Sequence, residues 1–194
     1  MPSRLPILAL APALLVTGVL LMSAPDAWTV SHLIFLAGTL TMLPAGVLLH
    51  DLVRDDGPAW LPWSGRALMF AGALTLAGQF LIDLVVTRLA GGDRTLTGPM
   101  FDTIQESTPL ALILYQVGPA LLFTGLALFG IAFIRRAGQW LLPGWLLVAG
   151  TLTVGAARIT DLRVVEVIGL GLVLAALVLT VASARAPAER LPAA

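Results

Sequence analysis

TPLALILYQVGPALLFTGLALFGIAFIRR, residues 108–136, carries no charged side chain until it ends on two arginines. A helix needs about 20 apolar residues, at 1.5 Å each, to cross a hydrocarbon layer of about 30 Å. This stretch is long enough. A soluble helix of the same length would show a polar face, and none can be drawn on it.

Five further runs read the same way, so the sequence predicts six membrane-spanning helices near 5–22, 29–50, 67–88, 108–134, 139–157 and 164–183. Composition agrees: 58% of the 194 residues are hydrophobic and 11% charged, against roughly 25% charged in soluble domains. The expected fold is therefore an all-α, single-domain bundle of three helical hairpins.

Orientation follows from the arginines, because cytoplasmic loops carry the excess of positive charge. With the N-terminus inside, Arg4, Arg54, Arg66, Arg135, Arg136, Arg185 and Arg190 lie on the inner side. Only Arg88, Arg94, Arg158 and Arg163 lie on the outer side. Both termini are thus expected in the cytoplasm, and the Arg135–Arg136 pair weighs most. Trp60, Trp63, Trp140 and Trp145 then fall at the inner interface and Trp28 at the outer one, as aromatic belts require. The first run is read as an anchor rather than a cleaved signal, being longer than the usual apolar core of about 7–15 residues. The surrounding membrane is expected to be a bacterial-type cytoplasmic membrane.

Pro44, Gly118-Pro119 and Pro143-Gly144 interrupt the spans and predict kinks. Gly118, Gly125, Gly130, Gly169 and Gly171 suit close helix packing. Two connectors exceed a turn. HDLVRDDGPAWLPWSGR (50–66) reads as a segment at the headgroup level, and AGGDRTLTGPMFDTIQES (90–107) as one in which Pro99 opens a short helix with Met100, Phe101 and Ile104 on one face.

AGALTLAGQFLIDL (71–84) and AGTLTVGAARITDL (149–162) share Ala, Gly, Leu, Thr and a closing Asp-Leu. The match suggests parallel repeats of a helical hairpin, an arrangement found among transporters. Charge is concentrated after the second copy, where Arg158, Asp161, Arg163 and Glu166 mark a tight outer turn.

Polar groups within a span are costly and tend to be functional. Gln79 precedes Asp83 by one helical turn, and Tyr115 and Gln116 lie at a similar depth. His32, Gln79, Asp83, Glu106, Tyr115, Gln116, Arg158, Asp161 and Glu166 are the candidate lining of a polar cavity toward the outer leaflet, with Asp83 foremost. The alternative role for these groups is to fix helix register by hydrogen bonds of about 0.6 kcal/mol each.

Several chemistries are disfavoured. There is no cysteine and no lysine, and net charge is zero, so thiolate sites and nucleic-acid binding have no basis. His32 and His50, 18 residues apart on one helix, are separated by about 27 Å, too far for joint haem ligation. No metal or other cofactor is expected. No nucleophile elbow or phosphate loop is present.

The leading functional reading is a small transporter or permease. The alternatives are a non-catalytic accessory subunit associating with itself or with a membrane partner, and an enzyme acting on a lipid or isoprenoid through its carboxylates. The bilayer is the expected partner in each.

Overall fold

The computed structural model describes residues 4–185 apart from 25, 92, 107 and 161. Among these the chain is all-helical. Eight helices follow in order: α1 Ile7–Leu21, α2 Trp28–Val53, α3 Trp60–Leu89, α4 Arg94–Glu106, α5 Thr108–Ala111, α6 Gly118–Arg136, α7 Leu141–Thr160 and α8 Arg163–Arg185. A π-helical turn, Leu112–Val117, joins α5 to α6.

Five of these stretches are long and apolar enough to cross a membrane: Trp28–Val53, Trp60–Leu89, Pro109–Arg136, Gly138–Arg158 and Arg163–Arg185. The sixth expected span is shorter than the rest. α1 has 15 residues, or about 22 Å of helix, although it is apolar throughout.

The six long helices form a ring in the order α1, α2, α3, α6, α7, α8, and α8 closes back on α1. Ion pairs and hydrogen bonds sort the ring into two ends. At one, Arg136 pairs with Asp56 at 3.0 Å and donates to the Leu52 carbonyl at 2.6 Å, while Gln139 donates to the Ser183 carbonyl. At the other, His32 faces Asp83 and Arg163 donates to the Ser23 hydroxyl. These are called the Arg136 end and the Asp83 end below.

Glycine sets where backbones meet. In lipid no hydrophobic force drives helices together, so close van der Waals approach between small residues must do it. A Cβ on Gly72 of α3 would run into the Leu122 backbone and lie 2.7 Å from the Gly118 oxygen on α6. A Cβ on Gly150 of α7 would lie 2.8 Å from the Gly169 oxygen and 2.9 Å from the Val173 nitrogen on α8. Gly72 and Gly150 hold the same place in the two copies of the sequence match, and each meets a glycine carbonyl and the amide four residues later. The likeness therefore extends from sequence to the contact it makes, although the closing Asp of the second copy, Asp161, lies outside the described residues, as does Arg190.

Three expectations about irregular segments are corrected. Trp60 through Gly65 belong to α3, so the connector after α2 is only the turn at 54–59. α4 begins at Arg94, before Pro99, and contains that proline; Met100, Phe101 and Ile104 are nonetheless its half-buried face. Pro143 lies in the first turn of α7, where the N–H it lacks would have no intrahelical partner. Gly144 beside it is a packing residue against Gly130 and Ile134, not a hinge.

Candidate functional site

Pro119 sits at the start of α6. It has no N–H for the carbonyl four residues earlier and its ring crowds that carbonyl, which belongs to Tyr115. The chain accommodates this by widening to a π turn, in which the Gly118 N–H donates to the Ile113 carbonyl instead. Such turns re-aim side chains and recur at functional sites. Here the Tyr115 hydroxyl reaches α3 and donates to Asp83 Oδ1 at 3.2 Å.

Asp83 also faces His32 of α2, with Nε2 3.7 Å from Oδ2, and both side chains are more than nine-tenths buried. The histidine is held from behind. Its Nδ1 lies 2.8 Å from the Trp28 carbonyl, an atom that can only accept, so Nδ1 carries the hydrogen. The Trp28 indole stacks on the imidazole at 3.7 Å, and Phe35 and Phe80 meet it edge-on.

That tautomer has a chemical consequence. Nε2 of the neutral ring is a lone pair, and a lone pair directed at a buried carboxylate is repulsive. One proton between them removes the conflict, on either Nε2 or Oδ2. His32 and Asp83 thus form a one-proton pair, with the Tyr115 hydroxyl as a further donor to it.

In front of this pair lies a cavity of about 1310 Å³ lined by all six ring helices. His32, Gln79, Tyr115, Gln116, Arg158 and Glu166 form part of its wall, as the sequence suggested. Arg158 and Glu166 neutralise each other at 3.3 Å. Asp83 is not on the wall: it is covered by His32, Gln79 and Tyr115, because the histidine and tyrosine that bind it point inward from neighbouring helices. Glu106, on α4, is exposed and does not line the cavity. Asp161 lies outside the described residues.

Arg163 lines the cavity too and was not among the expected site residues. Its place beside the expected outer turn suggested only interfacial charge. Trp28 was read as a belt residue, yet its carbonyl fixes the histidine. The i, i+4 spacing of Trp28 and His32 was the available signal.

The cavity floor is apolar. Leu15, Leu76, Leu122 and Leu170 line it together with Thr39 and Thr151, whose hydroxyls are spent on carbonyls of their own helices. Below that floor the Arg136 half is filled. Phe129, Phe133, Leu49, Met69, Leu147 and Leu177 there are among the largest fully buried side chains.

Among the described residues, no cluster of three or more His, Cys, Asp or Glu could hold a metal ion. No family model, curated protein or solved structure matches the chain.

Proposed function

We propose that the protein is a small permease-like carrier of six membrane crossings, with α1 as the first, both termini in the cytoplasm and its solute site in the cavity at the outer, Asp83 end. The observation that carries this reading is the asymmetry of the ring: all six helices line one cavity in one half, and aromatic packing fills the other half. A cavity open toward one side above a plug is what a carrier needs in one of its two states. The buried one-proton pair, His32 on the cavity wall and Asp83 behind it, supports proton linkage, since intramembrane His and Asp groups of this kind serve as relays in transporters. Parallel hairpin repeats, α3 with α6 and α7 with α8, supply two units able to rock against each other.

The chain lacks cysteine, so one introduced thiol reports without background. Thr151→Cys, at the cavity floor, is expected to react with a membrane-impermeant thiol reagent from the Asp83 side. Under an imposed proton gradient it is expected to react from the opposite side as well. Reaction from one side only, under every gradient, would make the cavity a fixed pocket and end the carrier reading.

A further inference from the structure

The cavity is open at the side as well as at its end. α6 and α7 are pinned together in the Arg136 half, where a Cβ on Gly144 would lie 2.7 Å from the Gly130 oxygen and one on Gly130 2.9 Å from the Gly144 oxygen. Eleven residues further along α7, about 17 Å by helical rise, a Cβ on Gly155 would meet nothing within 4 Å. Ala120 and Thr124 of α6, with Leu152, Gly155 and Ala156 of α7, line the cavity and are all exposed. The two helices therefore diverge from one crossing and leave a slot in the ring wall. Leu152, 68% exposed at its edge, is suited to hydrocarbon and not to water.

Three features describe what fits. The floor is mostly leucine, and the hydroxyl hydrogens of Thr39 and Thr151 there are already given to carbonyls of their own helices. Donors are gathered at the rim: the Gln116 amide, and the guanidinium of Arg163, which is in no ion pair among the described residues. The volume of about 1310 Å³ exceeds the range of about 300–1,000 Å³ usual for drug-sized ligands. From Tyr115 to Ala127, both on the lining, the helix rises about 18 Å, enough for an extended hydrocarbon chain.

We propose that the cavity takes a single-chain amphiphile with an acceptor-rich head, such as a carboxylate or phosphate, which reaches it from the bilayer through the slot between α6 and α7. This rests on the cavity being the solute site and names the class of solute. The chain lies on the apolar floor, and the head stays at the rim against Gln116 and Arg163. A lateral route also explains why small residues line the slot where no helix packs against them.

The test uses the full chain in phosphatidylcholine nanodiscs with a fatty acid bearing a diazirine at its chain end. Illumination is expected to label Leu122, Phe123 or Thr151. Gly155→Trp, at a position where a Cβ meets nothing within 4 Å, places an indole in the slot and is expected to cut that labelling by about tenfold, equivalent to about 1.4 kcal/mol of lost binding. Gly171→Trp, equally unobstructed but away from the cavity, is expected to leave it unchanged; Ala156→Trp stands in should Gly155→Trp not fold. The same diazirine chain without its carboxylate is expected to label about tenfold less. Labelling spread over the outside of the ring, or undiminished by folded slot variants, would overturn the proposal. So would equal labelling by the headless chain, for the head. If the impermeant thiol reagent still reaches Thr151→Cys while the fatty acid does not label the floor, the amphiphile is wrong and the solute site stands. Failure of both removes the site itself.

Discussion

The two halves of the ring are built from the same helices and almost the same apolar alphabet, yet one is filled and the other hollow. In the Arg136 half, Phe133 stacks on Trp140 at 5.3 Å and the Gly130–Gly144 pair draws α6 onto α7. In the Asp83 half, aromatic rings are spent on enclosing His32, and between α6 and α7 no glycine pair continues the seam. A cavity in a membrane protein thus need not be lined by polar residues to exist. It persists where the close-approach contacts stop and where rigid rings and a π turn hold the remaining helices in place. Interiors are otherwise packed at crystal-like density with few voids.

The sharpest way to break this contrast is with glycine. Gly72→Leu drives a side chain into the Leu122 backbone and is expected to cost about 3 kcal/mol or more, whereas Gly155→Leu enters empty space and should change stability by about 0.5 kcal/mol or less. Thermal unfolding followed by tryptophan fluorescence in detergent compares them. Equal losses would mean that the slot is not open.

A smaller difference is expected between the polar groups of the two ends. Asp83→Leu leaves the buried His32 Nε2 without its partner and is expected to cost about 1–3 kcal/mol. Arg136→Met removes a half-exposed pair with Asp56, and the cost expected for its charge is about 0–1 kcal/mol. A double-mutant cycle on each pair measures the coupling directly. Tyr115→Phe, which loses one hydrogen bond across helices, is expected to cost about 0.6 kcal/mol. A much larger loss would show that the tyrosine holds the π turn in place as well as the carboxylate.

The two histidines extend the comparison to protons. His32 has Nδ1 bonded to the Trp28 carbonyl; His50 is buried near Trp63 with no hydrogen bond to either ring nitrogen. With ¹⁵N-histidine in His50→Gln protein, the one remaining imidazole is expected to show hydrogen on Nδ1, and its Nε2 signal is expected to shift in Asp83→Asn. Hydrogen on Nε2 alone would remove the one-proton pair.

Much of this architecture was legible in the residues, for reasons that differ from place to place. Long uncharged runs such as 108–134 left only one solvent possible, so the helical class and the position of most spans followed. The match of 71–84 with 149–162 pointed to equivalent helices, and Gly72 and Gly150 make equivalent contacts. Depth along each helix placed Tyr115 and Gln116 near the level of Gln79, one turn from Asp83, because helical rise is nearly constant. What depth cannot give is azimuth across helices. Whether Asp83 lines the cavity or lies behind it depends on how α2, α3 and the π turn are rotated, and that rotation is set by Pro119 and by aromatic packing. The slot was hidden for the same reason: Gly155 looks like any small residue until α6 is seen not to reach it.

The account depends on the two ends of the ring facing opposite sides of a membrane, with the short α1 crossing it. Single cysteines at Arg4, Asp26 and Asp55, all exposed, test this in intact cells with an impermeant thiol reagent. Asp26→Cys alone is expected to react, with Arg4→Cys and Asp55→Cys reacting only after the membrane is permeabilised. Reaction of Arg4→Cys together with Asp26→Cys would show that α1 does not cross, and reaction of Asp55→Cys in place of Asp26→Cys would turn the cavity toward the cytoplasm and contradict the account.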